Sequence, residues 1–234
     1  MQQERIILSR VTTPNGELQL QQWEETDKKD QPVYEIVFNG VFLMASYNEL
    51  SEKKLAALAI EPLASERQDL RVLVGGLGIG YTLRAALDCD GIGTVDVVEI
   101  EEPVIGWAKD LFSELNGRAC FDPRVRLIKM DLGAYILKTD KTYDAIILDV
   151  DNGPSWLALD SNRRLYEKPA LLKIKALLGD GGVFIVWAAQ KCAAFQKRLE
   201  KVFGRTELIT VRDTDRCGRS IDYFIYRTRA FESP

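Results

Sequence analysis

The chain contains no histidine, which removes the commonest general base near neutral pH and the commonest metal ligand. Any proton transfer therefore falls to a carboxylate, a lysine, a tyrosine or a cysteine. Cysteine is scarce, and Cys89, Cys120, Cys192 and Cys217 stand apart without C-x-x-C spacing, a pattern that fits reduced thiols better than disulfides or a zinc site. No apolar run reaches the length of a membrane span, and the leading Met1-Gln2-Gln3-Glu4-Arg5 lacks the apolar core of a signal segment; a cytoplasmic location is the expectation. There is no basic tract, and the formal net charge is −4, so neither nucleic acid nor an anionic membrane is expected as the main partner.

What is present is 234 residues, 46% of them hydrophobic, enough for one substantial core and a small appendage. The strongest local signal is Val72-Leu73-Val74-Gly75-Gly76-Leu77-Gly78-Ile79-Gly80-Tyr81 followed by Thr82-Leu83-Arg84-Ala85-Ala86-Leu87. It reads as a buried strand, a glycine turn and a helix start. Gly76, Gly78 and Gly80 let the backbone take positive φ and bring its N–H groups close to a ligand, as in nucleotide sites. Dinucleotide enzymes use G-x-G-x-x-G, whereas transferases that act on adenosyl sulfonium donors usually show G-x-G-x-G, the spacing found here. The next apolar run, Val95-Asp96-Val97-Val98-Glu99-Ile100, ends in an acid able to accept both ribose hydroxyls. A nicotinamide-dependent oxidoreductase would carry the same acid, so Glu99 does not separate the two.

Residues 1–48 predict a small antiparallel β-unit with strands Arg5–Val11, Glu17–Trp23, Val33–Phe38 and Val41–Ala45. Asn39-Gly40 joins the last two as a type I′ hairpin signal, and Asp27-Lys28-Lys29-Asp30 reads as an exposed turn. A helix over Glu49–Leu63 follows, with Ser51 a candidate cap and Pro62 a terminator or kink. From Arg71 onward strands and helices alternate. The strands are Val72–Gly75, Thr94–Ile100, Val125–Met130, Ala145–Val150 and Val183–Ala188. Helices start at Thr82, run over Pro103–Leu115, and fall near Leu132–Leu137, Leu165–Leu178 and Cys192–Phe203; the strands Glu207–Arg212 and Ile221–Arg227 close the chain. Such alternation predicts an α/β domain over 49–234, a doubly wound, mostly parallel sheet that binds ligands beyond the carboxyl ends of its strands. Glu99, Asp131, Asp149 and Asp151 all fall at those ends. Each alone also reads as a helix cap or a solvated loop charge; together they outline a site. Acids spread over three strand ends suit hydroxyls and amines as well as magnesium, and no metal is expected.

These residues resemble the spermidine synthase family of aminopropyltransferases, and in particular a bacterial spermidine synthase-like branch. The resemblance runs from about Asn39-Gly40-Val41 to Arg227. It is clearest in the glycine turn, Val98-Glu99-Ile100-Glu101, Asp122-Pro123-Arg124-Val125, Met130-Asp131, and Tyr143 through Leu148-Asp149-Val150-Asp151-Asn152-Gly153-Pro154. It implies a Rossmann-like class I methyltransferase fold, with Glu99 on the adenosine ribose, Asp131 on the adenine amino group and Asp149 beside the reacting amine. The donor substrate would be S-adenosylmethionine or its decarboxylated form, the acceptor a small molecule, an amine, and the assembly a homodimer. Amine attack beside a sulfonium needs alignment, a nearby negative charge and a proton acceptor, which Asp149 supplies without histidine.

Departures from the family pattern fall on the amine half of the site. Ile79 stands where the family has an acid for the ammonium of the aminopropyl group. The family's Tyr-x-Glu falls on Glu52-Lys53-Lys54, its Asp-Ser/Thr-x-Asp loop becomes Asp149-Val150-Asp151-Asn152, and Trp187 stands in place of a Gln. Losing a buried partner charge costs several kcal/mol, which speaks against ordinary transfer to putrescine unless Asp151 substitutes. Removing the acid at Ile79 also removes a repulsion against the carboxylate of intact S-adenosylmethionine, whereas the resemblance points to the decarboxylated donor; both stay open. Trp156, Trp187 and Tyr81 are candidates for an aromatic acceptor pocket, with packing the alternative, and Tyr166 for a lid contact. A nucleoside-binding paralogue without turnover, acting as a sensor or partner subunit, is the other reading.

Overall fold

The order of secondary-structure elements follows from where apolar runs and turn residues alternate. A computed structural model describes residues 5–25, 28–47, 49–214 and 219–230. The chain forms two compact units, residues 1–49 and 50–234.

The first unit is a four-stranded antiparallel sheet, β1 (Ile6–Thr13), β2 (Gly16–Glu25), β3 (Lys28–Phe38) and β4 (Val41–Ala45), paired in chain order. Asn39 and Gly40 have φ of 48° and 77°, the left-handed pair that a type I′ turn requires, and Phe38 pairs with Val41 across it. Lys28, Lys29 and Asp30, expected in an exposed turn, belong to β3 instead; Asp27 lies outside the described residues.

The second unit carries α1 (Leu50–Ala64), β5 (Leu70–Gly75), α2 (Tyr81–Leu87), β6 (Ile92–Glu99), α3 (Glu102–Lys109), β7 (Val125–Lys129), α4 (Leu132–Lys138), β8 (Tyr143–Leu148), α5 (Lys168–Leu177), β9 (Leu178–Ala188), α6 (Ala193–Phe203), β10 (Thr206–Thr214) and β11 (Ser220–Arg229). The strands form one seven-stranded sheet in the order β10-β11-β9-β8-β5-β6-β7, with β11 antiparallel to both its neighbours and the rest parallel. Strand order reverses between β5 and β8, so the crevice of this doubly wound sheet opens beyond Gly75 and Leu148. Phe184, Val186 and Ala188 of β9 join the core that α4, α5 and α6 cover. Ile185 and Trp187 alternate onto the opposite face, where α1 packs across β8 and β9. No helix among the described residues is long and apolar enough to cross a membrane.

Four further expectations need correction. Ser51 lies within α1, buried, and its hydroxyl donates to Glu52 Oε2 at 2.8 Å rather than capping a helix end. Pro62 is accommodated inside α1, which continues to Ala64. The helix expected over Pro103–Leu115 stops at Lys109, where Asp110 leaves helical geometry at φ −100°, ψ −87°; Phe112 then bonds back to the Trp107 carbonyl, one residue too far for an α-helix. The helix expected from Leu165 is likewise split. Asp160–Tyr166 forms a 3-10 helix, Glu167 is extended, and α5 starts anew with Pro169 in its first turn, the position where a missing N–H costs least.

Candidate functional site

The glycine turn follows β5 directly. Gly76, Gly78 and Gly80 have φ of 89°, 53° and 100°, a region that side chains rarely adopt. Gly76 is also sterically obligatory, because a Cβ there would lie 2.1 Å from the Asp149 carbonyl oxygen. Asn116, wholly buried, pins the turn from below: its Nδ2 donates to the Ile79 carbonyl at 2.9 Å and to the Ala108 carbonyl at 2.8 Å. Sequence reasoning passed over Asn116, since a lone Asn near Gly117 reads as a turn residue. The Ile79 side chain is packed completely out of solvent, at 0% exposure.

Glu99 ends β6 and is buried. Its Oε2 accepts from the Leu77 N–H of the glycine turn at 3.0 Å, and its Oε1 from the Glu101 N–H at 2.8 Å. A carboxylate offers about four acceptor positions, so each oxygen retains capacity for a hydroxyl donor. Burial pushes the Glu99 carboxyl up, and the two N–H bonds oppose it. Asp131 caps α4, with Oδ1 accepting from Ala134 N at 2.7 Å and from Arg164 at 2.5 Å. Gly133 leaves the room for that guanidinium, as a Cβ there would lie 2.7 Å from Arg164 Nε. Arg164 had no signal in the sequence beyond a charge in a loop.

Asp149 follows β8, its N–H bonded to the Gly75 carbonyl at 2.9 Å, which ties the strand end to the glycine turn. Its Oδ2 accepts from the Thr82 hydroxyl at 2.6 Å. Burial raises the Asp149 carboxyl against that hydrogen bond. Glu52, 6% exposed in the first turn of α1, belongs to the same charge system. Burial first, and the Asp149 charge second, push its carboxyl up to about 8, with a smaller contribution from Asp213 of β10. Thr82 and Glu52 are the two members that sequence reasoning underrated: Thr82 read as a helix start and Glu52 as a departure from the family's Tyr-x-Glu, which falls on Glu52-Lys53-Lys54.

Asp151 sits at φ 56°, and both its oxygens are engaged by the loop that follows. Oδ1 accepts from Ala158 N and Leu159 N at 3.2 Å each, and Oδ2 from Asn162 Nδ2 at 2.7 Å. Among the aromatic candidates, Trp156 is 45% exposed, while Trp187 and Tyr81 are buried. Trp187 packs on Tyr223 with ring centroids 5.4 Å apart. Tyr166 belongs to the core, edge-on to Phe195 at 5.4 Å, and its hydroxyl donates to the Val150 carbonyl at 3.2 Å. Cys89, Cys120 and Cys192 are free thiols; Cys217 lies outside the described residues.

The glycine turn, Glu99, Asp131 and Asp149 therefore stand along one rim of the sheet, at the ends of β5, β6, β7 and β8. The family described as spermine/spermidine synthase domain matches residues 55–207. Polyamine aminopropyltransferase 1 from Hyperthermus butylicus is 33% identical over 140 residues, 57% of this chain and 46% of that protein. Putrescine N-methyltransferase 2 from Nicotiana attenuata is 34% identical over 125 residues, 52% of this chain and 32% of that protein. The chain thus spans less than half the length of these two relatives. Two solved structures share the fold over 97% of this chain: spermidine synthase from Thermotoga maritima, at 17% identity, TM-score 0.76 and 74% of that chain, and spermidine synthase in complex with the transition-state analogue AdoDATO, at 18%, 0.77 and 75%.

Proposed function

We propose that this chain, which belongs to the spermine/spermidine synthase family, transfers an alkyl group from an adenosyl sulfonium donor to an amine. The observation that carries the reading is the convergence of Glu99, the glycine turn and Asp149 at the switch point of the sheet, with Asp149 bonded to Thr82 at 2.6 Å and electrostatically joined to Glu52. Glu99 and Asp131 would hold the ribose and adenine, and Asp149 the acceptor nitrogen. The amine lone pair forms a bond to the carbon beside the sulfonium; the carbon–sulfur bond breaks, its electron pair neutralises the sulfur, and the nitrogen's proton passes to the Asp149 carboxylate. Burial favours that proton transfer, because a carboxylate raised by desolvation is the stronger base. Asp151 is assigned to holding the 151–162 loop rather than to the reacting amine, since its carboxylate is already shared among three donors. Membership in this family leaves the nicotinamide reading of Glu99 without support.

Intact S-adenosylmethionine, and hence methyl transfer, is the donor we assign. Ile79 offers an aminopropyl ammonium no charge partner and is completely buried, and relatives matching half of this chain include putrescine N-methyltransferases. Aminopropyl transfer from the decarboxylated donor is the second reading, supported by the aminopropyltransferase relatives. Side-by-side calorimetric titration with both donors separates them: a preference of tenfold, about 1.4 kcal/mol, for the intact form supports methylation, and the reverse preference overturns it. Mass analysis of products from an amine panel tests turnover, with Asp149→Asn expected to abolish it. A protein that binds donor and yields no product with any amine would be a nucleoside-binding paralogue.

A homodimer is part of the proposal. Ile6, Ile7 and Leu8 are consecutive exposed apolar residues on β1, an edge strand of its sheet, and such edges pair with other chains unless covered. A monomeric mass by light scattering at micromolar concentration would refute it.

A further inference from the structure

Trp187 is the next-to-last residue of β9, which pairs in parallel with β8 so that Val186 stands opposite Leu148. Trp187 is therefore level with Asp149 on the neighbouring strand, at the rim where the acceptor would enter. Its side chain lies on the sheet face that α1 covers, the helix whose first turn carries Glu52. Tyr223 packs against it from β11, the rings tilted by 35°, and Asp213 of β10 is on the same face, because Val211 pairs with Tyr223 and Asp213 lies two residues further along the strand.

The indole is 8% exposed, and its Nε1–H is buried without a hydrogen-bond partner among the described residues. An indole N–H can only donate. A buried donor left unpaired is costly, and native structures keep such groups for a functional role or where water or a bound group completes them. Carboxylates stand on the same rim and do not accept from it. The group that completes it must present a lone pair at a point where an ammonium, which is all donors, would be repelled.

We infer that the acceptor is an amine with a neutral oxygen at its far end, a hydroxyl, ether or amide carbonyl, which accepts from the Trp187 Nε1–H while the amino group lies between Asp149 and Glu52. This rests on the transfer reading above and deepens it by setting the acceptor class apart from simple diamines. A carboxylate at the far end is excluded by Glu52, Asp149 and Asp213 on the same side. The charge balance points the same way: burial and the Asp149 charge raise the Glu52 carboxyl to about 8, so at neutral pH Glu52 is mostly protonated and offers a second ammonium no full charge.

The test is calorimetric titration of the full chain, held with saturating S-adenosylhomocysteine, using aminobutanol, putrescine and pentylamine. These have a neutral oxygen, a second ammonium and a methyl group, respectively, at the far end. Binding needs no turnover, so failure of catalysis and failure of this inference read differently. We expect aminobutanol to bind at least about tenfold more tightly than the other two. Trp187→Phe keeps the ring and removes the N–H; it should weaken aminobutanol about five- to tenfold, the weight of one hydrogen bond, and leave pentylamine and S-adenosylhomocysteine unchanged. Tighter binding of putrescine or pentylamine to the wild-type protein overturns the inference whatever the variant does. So does a Trp187→Phe protein that folds normally and loses affinity equally for all three amines, or loses it for the nucleoside alone.

Discussion

Replacing Glu52 by glutamine tests the charge system at the site without reference to any substrate. Glu52 is buried in the first turn of α1, bonded by the Ser51 hydroxyl at 2.8 Å and facing the charges of Asp149 and Asp213. Its carboxyl is raised from 4.5 to about 8. The sign follows directly. Between those two values the folded chain holds a proton that the unfolded chain has released, so folding stability falls as pH rises through this window, and the loss is complete above about 8. At about 1.4 kcal/mol per pH unit, the gap between 4.5 and about 8 amounts to at most ~5 kcal/mol. Glutamine keeps the shape and the polar atoms and has no proton to lose.

Thermal unfolding of the two proteins at pH 5, 7 and 8.5 is the assay. Near pH 5 both side chains are neutral and the melting temperatures should nearly coincide. At pH 8.5 the Glu52→Gln protein should melt higher, by up to ~10–20 °C if each kcal/mol moves a chain of this size by about 2–4 °C. Only the difference between the proteins is read, so groups that titrate alike in both cancel and what remains is Glu52 together with its effect on Asp149. A melting difference that does not change with pH, or a variant that is the less stable of the two at pH 8.5, would refute the assignment of a buried, Asp149-facing carboxyl to Glu52.

Ile79→Asp puts a carboxylate back into the glycine turn and should move donor preference toward decarboxylated S-adenosylmethionine by tenfold or more in paired titrations, with circular dichroism checking the fold. Glu99→Gln replaces an acceptor of two backbone N–H bonds by an amide that can satisfy only one, and donor affinity should fall at least about tenfold by calorimetry. Gly76→Ala forces a Cβ against the Asp149 carbonyl at φ 89° and should cost roughly 3 kcal/mol or more in urea unfolding. Asn116→Ala strips partners from the Ile79 and Ala108 carbonyls; a loss of about 2–4 kcal/mol with an unchanged urea m-value is expected.

The parallel sheet was legible because its central strands are buried on both faces, and Val72–Val74 and Ala145–Leu148 accordingly read as unbroken apolar runs. The Asn39-Gly40 hairpin was legible for a different reason: two consecutive positive φ values leave few residue choices. Helix ends were not. Periodicity continues through Leu111, Phe112 and Leu115 although the helix ends at Lys109, because Phe112 is buried in the turns that follow and so keeps an apolar pattern without helical hydrogen bonds. Leu165 and Tyr166 are core residues too, and apolar spacing alone does not reveal that the chain reaches them as a 3-10 helix before Pro169 restarts the α-helix.

The two halves of the site differ in legibility for a topological reason. The proposed nucleoside half is assembled from residues at or just after the ends of consecutive parallel strands, and a strand fixes the position of the residue at its end, so Gly76, Glu99 and Asp131 could be named from the apolar runs before them. On the proposed acceptor side, Glu52 comes from a helix before the first strand of the sheet, Trp187 from β9 and Asp213 from β10. No local spacing relates them. They share a face only because β9, β11 and β10 follow β8 at one edge of the sheet, and α1 packs over that region. Asp151 is a different case: its spacing from Asp149 points to a second site acid, and in the structure its positive φ sets it in the loop, where three donors share its carboxylate. Acceptor choice in such a fold can therefore be changed by residues far apart in sequence while the strand-end residues stay in place. On the proposed reading, a chain with its glycine turn and Glu99 in place, and with Ile79, Trp187 and Glu52 on the amine side, would be a transferase that kept its donor framework and altered what it alkylates.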